Sequence, residues 1–146
     1  MINIYLAGPF FSEEQINRIT AVEKHIAKNP QALQVYSPRL HQDGHAAPQT
    51  AEWAREIFDR DMAALEQADV VLAILDYQGG ITDPGTAFEI GAAYRTNKTI
   101  VVYHEQKTPV NIMLTESTQA YLTSLSALET YDFKQQKRIA YVGEYI

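Results

Sequence analysis

The sequence contains 146 residues, of which 46% are hydrophobic and 21% are charged, and its formal net charge is -6. This length and composition suit a single globular domain over residues 1–146, and the acidic balance argues against nucleic acid, which proteins bind through clustered Lys and Arg. The absence of cysteine excludes disulfides, thiolate metal ligands and cysteine nucleophiles. We therefore predict a small-molecule substrate and no nucleic-acid partner.

The first residues lack the basic region and the long apolar stretch of a signal peptide. No apolar run approaches the roughly 20 residues that a helix needs to span a bilayer. We therefore expect a cytoplasmic protein with no membrane partner.

Strand-like and helix-like segments alternate along the chain. Short β-rich runs end at turn signals such as Gly8-Pro9, and amphipathic stretches follow capping residues such as Ser12. In chain order the pattern predicts a strand over 2–7, a helix over 13–28, a strand over 33–36, a helix over 51–67, a strand over 69–75, a helix over 84–96 and a strand over 99–103. Beyond these it predicts a helix over 110–128 and an edge strand around 128–133.

This alternation predicts the fold class. Repeated strand–helix units connected by right-handed crossovers give an α/β, doubly wound domain with a mainly parallel five-stranded sheet and helices on both faces, as in flavodoxin-like and Rossmann-like proteins. Such folds bind ligands beyond the carboxyl ends of the strands, where the strand order reverses. The loops that begin at Gly8, Ser37 and Asp76 are therefore predicted to meet at one crevice.

Glu89 is the most informative polar residue, because its neighbours in Ala87–Ala93 are all apolar or glycine. A carboxylate in such surroundings must be hydrogen-bonded or have a raised pKa. An ionised but poorly hydrated carboxylate is a good nucleophile. The alternative is a Glu that points past the packing surface of its helix, and position alone does not choose between the two interpretations.

Three further residues are candidates for the same crevice. Asp83 is predicted to cap the helix that carries Glu89, which is usually a structural role, but the cap lies at the mouth of the crevice. Asp61 falls on the apolar stripe of its helix, where an acid often marks a site and otherwise pairs with a neighbouring Arg. Tyr5, in the first strand, either packs in the core or uses its hydroxyl in the site.

Several acids on one crevice, without clustered metal ligands, favour glycosidic chemistry. Cleavage at an anomeric carbon needs one carboxylate at the carbon and a proton donor at the leaving group. The histidines are scattered, and the Gly-rich phosphate-binding motifs of nucleotide-dependent enzymes are missing. We therefore predict neither a metal site nor a cofactor.

The sequence resembles the nucleoside 2-deoxyribosyltransferases. The resemblance covers most of the chain and is carried by Ile4–Phe11, by Asp61-Met62, by Asp83–Ala93 and by Pro109–Met113. The Asp-x-Gly-Thr-x-x-Glu-x-Gly pattern within Asp83–Ala93 is the most specific part.

The resemblance implies catalytic roles. Glu89 matches the nucleophile that attacks C1' and holds a covalent 2-deoxyribosyl intermediate. Asp61 and Asp83 match acids near the base and the sugar hydroxyls, with proton donation to the departing base as their task, and Tyr5 matches a tyrosine that orients the nucleophile.

The resemblance also implies substrate-binding residues and an assembly. Asn111 matches a residue that contacts the sugar 5'-hydroxyl from a neighbouring subunit, so a homo-oligomer (dimer, tetramer or hexamer) with shared active sites is expected. Gln42 matches a base-contacting glutamine. The other predicted substrate-binding residues are Gly8, Phe10, Gly85 and Met113.

The implied function is the transfer of 2-deoxyribose between purine or pyrimidine bases of 2'-deoxynucleosides, by a ping-pong, retaining mechanism with slow hydrolysis as a side reaction. Two alternatives stay open. One is a 2'-deoxynucleoside 5'-monophosphate N-glycosidase, which only hydrolyses its substrate. The other is a non-catalytic nucleotide-sensing module.

Overall fold

A single five-stranded sheet organises the protein. The computed structural model describes all residues from 1 to 146. The strands are β1 (Ile2–Ala7), β2 (Leu33–Tyr36), β3 (Val70–Ile74), β4 (Thr99–Tyr103) and β5 (Ala120–Leu122). Their order in the sheet is β2-β1-β3-β4-β5, and every neighbouring pair is parallel. The predicted α/β fold with a parallel five-stranded sheet is confirmed.

Five α-helices surround the sheet, and each begins where a side chain caps it. The caps matter because the first backbone N–H groups of a helix have no partner within the helix. Ser12, Thr50, Asp83, Asn111 and Ser124 each accept a hydrogen bond from a backbone N–H in the first turn. The helices are α1 (Glu13–Ile26), α2 (Ala51–Gln67), α3 (Pro84–Arg95), α4 (Ile112–Ser117) and α5 (Leu125–Thr130).

Two hydrophobic clusters lie on opposite faces of the sheet. On one face, the strand residues that include Leu6 and Leu72 pack against α1 and α5 through side chains such as Ile19 and Leu128. On the other face, the alternate strand residues, Tyr5 among them, pack against α2, α3 and α4. Every residue of β3 is buried, as expected for a central strand that is covered on both faces.

The region after β4 differs from the prediction. The helix predicted over 110–128 is wrong, because this stretch contains α4, the strand β5 and the first residues of α5. The edge strand predicted around 128–133 is also wrong, because the end of α5 occupies part of it and β5 forms the edge instead. Thr118 ends α4 in an extended conformation, and its hydroxyl donates to the Leu114 carbonyl. A helix of six residues and a strand of three are too short to show a hydrophobic period.

The site is positioned by the reversal of strand order around β1. The chain leaves β1 for β2 on one side of the sheet and then enters β3 on the other side, so the loops after these strands diverge at the carboxyl end of the sheet, the place we call the crevice. The turn after β1 packs closely, since a Cβ added at Gly8 would lie 3.0 Å from Ile74 Cδ1. In the paired register, Tyr5 lies between Tyr36 of β2 and Val71 of β3.

None of the helices combines the length and the apolar character that crossing a bilayer requires.

Candidate active site

Glu89 projects from the second turn of α3 into a poorly hydrated space. Its side chain is half-buried, and its Oε2 atom is buried with no hydrogen-bond partner. Burial raises the pKa of Glu89 to about 7, and the hydroxyl of Tyr5 opposes this rise. A buried carboxylate oxygen without a partner is unusual, because the cost of desolvation is then uncompensated. Glu89 therefore has a buried oxygen whose hydrogen-bonding capacity is unused.

Tyr5 faces Glu89 from the neighbouring strand. Its side chain is almost completely buried at 1% exposure. The pKa of its hydroxyl is raised well above its ordinary value, first by burial and then by the Glu89 carboxylate. The hydroxyl therefore stays protonated and is a potential hydrogen-bond donor beside Glu89.

Asp61 approaches from α2 and is bound by a residue of β2. The Tyr36 hydroxyl donates a hydrogen bond to Asp61 Oδ1 at 3.0 Å. Burial raises the pKa of Asp61, while this hydrogen bond and the positive charges of Arg60 and His41 act in the opposite direction. The pKa of Asp61 is therefore higher than that of an exposed Asp, so its protonated form persists to a higher pH.

Asp83 occupies the N-terminus of α3. Its Oδ2 atom accepts hydrogen bonds from the backbone N–H of Thr86 at 2.9 Å and from the Thr86 hydroxyl at 3.2 Å. Asp83 is buried, at 7% exposure. Gly85 lies within this capping turn, where an added Cβ would be 3.1 Å from Asp83 Oδ2. The same carboxylate thus caps the helix and contributes negative charge near Glu89.

The four residues predicted as catalytic come together at one place. The negative charges of Asp61 and Asp83 both raise the pKa of Glu89, and the ionisation of Tyr5 is sensitive to both Glu89 and Asp61. Such mutual effects fall off steeply with distance and are strongest where water is excluded. Glu89, Asp61, Asp83 and Tyr5 are therefore close enough to influence one another's ionisation, and we call these four residues the acidic cluster.

The predicted substrate-binding residues of the loops make different kinds of contact with the rest of the chain. Gln42 donates from Nε2 to the Pro38 carbonyl at 2.7 Å. Phe10 packs partly against the cluster on the α1 face, whereas the adjacent Phe11 ring is 66% exposed. Gly8 lies in the tight turn after β1, packed against the side chain of Ile74.

Asn111 and Met113 are predicted site residues that do not lie beside Glu89 within one chain. They line a separate groove of about 520 Å³ between α3 and α4, together with Ala87, Ile90 and other residues. By helical geometry this face of α3 lies on roughly the opposite side from Glu89. Asn111 caps α4 through a bond from the Met113 N–H, and the Met113 side chain is 74% exposed.

One residue of the crevice, Tyr36, was not predicted from the sequence. Tyr36 stacks on Tyr5, with 5.7 Å between the ring centroids, and His41 stacks on Tyr36 at 4.3 Å. Tyr36 is the last residue of β2 and pairs in register with Tyr5. The end of β2 was recognised in the sequence, but the partner of Tyr36 depends on the register between β1 and β2.

The structure contains no group of three or more acidic, His or Cys side chains arranged to hold a metal ion. The side chains at the crevice carry carboxyl, phenol and imidazole groups.

Comparison with known proteins gives a consistent family assignment. The family model described as nucleoside 2-deoxyribosyltransferase matches residues 4–128. A nucleoside deoxyribosyltransferase of Limosilactobacillus fermentum is 28% identical over an alignment 145 positions long, which covers 89% of this chain and 85% of the relative.

Solved structures agree with this assignment. A 2-deoxyribosyltransferase of Bacillus psychrosaccharolyticus superposes with a TM-score of 0.87 at 31% identity, covering 96% of this chain and 99% of the other. A 2-desoxiribosyltransferase of Leishmania mexicana shares the fold, with a TM-score of 0.67 at 20% identity over 88% of this chain and 94% of the other. The chain belongs to the nucleoside 2-deoxyribosyltransferase family, a family of pentosyltransferase enzymes.

Proposed function

We propose that the protein transfers 2-deoxyribose between the purine or pyrimidine bases of 2'-deoxynucleosides, with Glu89 as the nucleophile. The observation that carries this proposal is the unpartnered, buried Oε2 of Glu89 beside two further carboxyl groups and a buried phenol. Family membership supports the reaction class, and the acidic cluster supports the chemistry. We also propose that the chain forms a single domain and acts in the cytoplasm.

The proposed reaction has two displacement steps. In the first, a Glu89 carboxylate oxygen forms a bond to C1' while the N-glycosidic bond breaks and its electron pair goes to the base nitrogen, which takes a proton from Asp61 or Asp83. In the second, the nitrogen of a new base attacks C1', the bond to Glu89 breaks, and the acid recovers a proton. Two inversions give net retention. Water in place of the second base would give slow hydrolysis.

The oxocarbenium-like transition state suits an acidic cluster. Positive charge develops at the sugar as the base leaves, and the nearby carboxylates stabilise it in a site from which water is largely excluded. The phenol of Tyr5 orients Glu89 without competing for the reaction, since its hydroxyl stays protonated.

The charge of the crevice disfavours the 5'-monophosphate N-glycosidase alternative. A phosphate would meet the negative charges of Asp61, Asp83 and Glu89. Arg60, a cation that acts on Asp61, is already bound to the His41 carbonyl at 2.7 Å and to Glu56 at 3.4 Å. Like charges repel most strongly where water is excluded.

We also propose a homo-oligomer in which a neighbouring subunit supplies Asn111 and Met113. Within one chain these residues lie on the far side of α3 from Glu89. Their groove also borders exposed apolar side chains, with Tyr94 at 63% and Ile81 at 53% exposure. An apolar surface of this kind is typical of a contact between subunits.

The test is a base-exchange assay with deoxyadenosine and free cytosine, followed by chromatography. The proposal predicts that deoxycytidine forms, and that Glu89→Gln lowers the rate by at least about 10³-fold because the nucleophile is lost. The matched control is Glu66→Gln, which changes an exposed Glu at the end of α2 and should leave the rate unchanged. Release of adenine without deoxycytidine would support the hydrolase alternative. No reaction at all would support the sensing module.

A further inference from the structure

We propose that Tyr36 is a positioning residue for this reaction: its hydroxyl fixes the carboxyl of Asp61, and its ring fixes Tyr5 beside Glu89. This proposal rests on the proposed function. Tyr36 connects two members of the acidic cluster that come from different elements, β1 and α2, by a ring contact to Tyr5 and a hydrogen bond to Asp61.

The sheet itself sets the relation between Tyr36 and Tyr5. The two residues are direct partners in the parallel pairing of β1 and β2, so their side chains emerge on the same face. Their rings are stacked with 5.7 Å between centroids and 19° between planes. A stacked ring on one side restricts the swing of the buried Tyr5 ring, and thereby the position of its hydroxyl near Glu89.

The outer face of Tyr36 is covered as well. The His41 ring lies 4.3 Å from it with only 7° between planes. Tyr36 is thus held between two rings, one in the core and one on the exposed loop after β2. A side chain packed on both faces has few rotamers available, which is what a positioning residue requires.

The hydroxyl of Tyr36 provides the second contact. It donates to Asp61 Oδ1 at 3.0 Å, which leaves Oδ2 of Asp61 as the oxygen free to exchange a proton with a base. Burial and the Asp61 charge raise the pKa of Tyr36 to about 12, so the phenol remains a donor across the working range of pH. The other groups that act on Asp61 are Arg60 and His41.

A pair of matched substitutions separates this role from simple packing. Tyr36→Phe keeps the stacked ring and removes only the hydroxyl. Tyr131→Phe is the control, because the Tyr131 hydroxyl also donates a bond of 3.0 Å, to the Lys137 carbonyl, but on the opposite face of the sheet. In the base-exchange assay we expect Tyr36→Phe to lower kcat about 10- to 100-fold with a smaller change in KM, and Tyr131→Phe to leave both unchanged.

A double-mutant cycle identifies Asp61 as the partner. If Tyr36 acts through Asp61, Tyr36→Phe should have little further effect on kcat in an Asp61→Ala background. Carboxyl NMR titration gives a readout that does not depend on activity: the pKa of Asp61, assigned by the signal that Asp61→Ala removes, should rise in Tyr36→Phe and stay constant in Tyr131→Phe.

Different results would overturn the role of Tyr36 and the proposed function. A kcat of Tyr36→Phe equal to that of Tyr131→Phe, additive effects with Asp61→Ala, or an unchanged pKa of Asp61 would each overturn the role of Tyr36. Absence of base exchange by the unsubstituted protein would overturn the proposed function instead, and this is measured before any variant.

Discussion

At the scale of single residues, the reactivity of Glu89 depends on the amount of water that its carboxylate retains. A fully hydrated carboxylate is a weak nucleophile, and a fully buried one stays protonated. A pKa of about 7 places Glu89 between these limits, so a substantial fraction is ionised at neutral pH while Oε2 has no hydrogen-bond donor to compete with the sugar.

The rate of base exchange should therefore depend on pH through Glu89. Because only the ionised carboxylate attacks, kcat/KM should fall as the pH decreases through about 7. Tyr5→Phe removes a hydroxyl that lowers the pKa of Glu89, so the midpoint should move to higher pH. Rate profiles of the wild type, Tyr5→Phe and the remote Tyr131→Phe test this. A midpoint that is unchanged in Tyr5→Phe would contradict it.

The same carboxylate should reduce the stability of the fold at high pH. Its pKa is about 7 in the folded protein and 4.5 as the ordinary value, so the folded state binds the proton more tightly. This proton stabilises the fold by roughly 3 kcal/mol below pH 4.5, and the stabilisation is lost as the pH rises through 7. Glu89→Gln cannot ionise and should escape this loss.

Urea unfolding at pH 5 and pH 8 measures the effect. Glu89→Gln should gain stability relative to the wild type at the higher pH, and the exposed Glu66→Gln should not. An equal difference between Glu89→Gln and the wild type at both values of pH would show that Glu89 ionises normally.

At the scale of elements, Asp83 serves both the start of α3 and the acidic cluster. Asp83→Ala should lower the free energy of unfolding by about 1 kcal/mol, because the cap is lost. Asp83→Asn keeps a capping side chain and should retain most of the stability, while both variants lower the rate of base exchange. Urea unfolding and the exchange assay check the two effects, and Ser124→Ala, at the cap of α5, is the control for capping alone. Full activity in Asp83→Asn would remove Asp83 from the chemistry.

The sequence predicts those elements whose ends carry local signals. The bounds of β1, β2, α2 and β4 agree with the prediction, since caps and turn residues specify them locally. The stretch from 110 to 128 was mistaken for one helix because β5 becomes a strand by pairing with β4, a contact that is distant in sequence. Tertiary pairing overrides local pattern in short elements.

The candidate site was predictable to a similar degree. Glu89 and Asp83 stand out because they are acids beside small apolar residues and glycine at a helix start. A helical pattern does not by itself show which residues are buried. Phe58 lies on the apolar stripe of α2, yet it is 45% exposed, and its ring centroid lies 6.2 Å from that of Phe88. The contact of Tyr36 with Asp61 depends on how α2 packs on the sheet, for which no local signal exists.

At the scale of the whole molecule, the groove between α3 and α4 predicts active sites that are shared between subunits. If one subunit supplies Glu89 and its neighbour supplies Asn111, two inactive variants should complement each other. Asn111→Ser is the suitable partner of Glu89→Gln, because serine keeps the cap of α4. The two proteins are dissociated together, reassociated and assayed, with each variant treated alone as the control. Recovery of base exchange in the mixture only is expected, and its absence would mean that each chain uses its own Asn111 or none.

A covalent bond between Glu89 and the sugar can be detected by mass spectrometry. The protein is incubated with a 2'-fluoro-2'-deoxynucleoside, whose electron-withdrawing fluorine slows both steps, then quenched and digested. We expect a fluorinated sugar on the peptide that contains Glu89, and no such adduct in Glu89→Gln. A digest in which base has been released but every Glu89 peptide is unmodified, or in which the sugar is attached to Asp61 or Asp83, would contradict it.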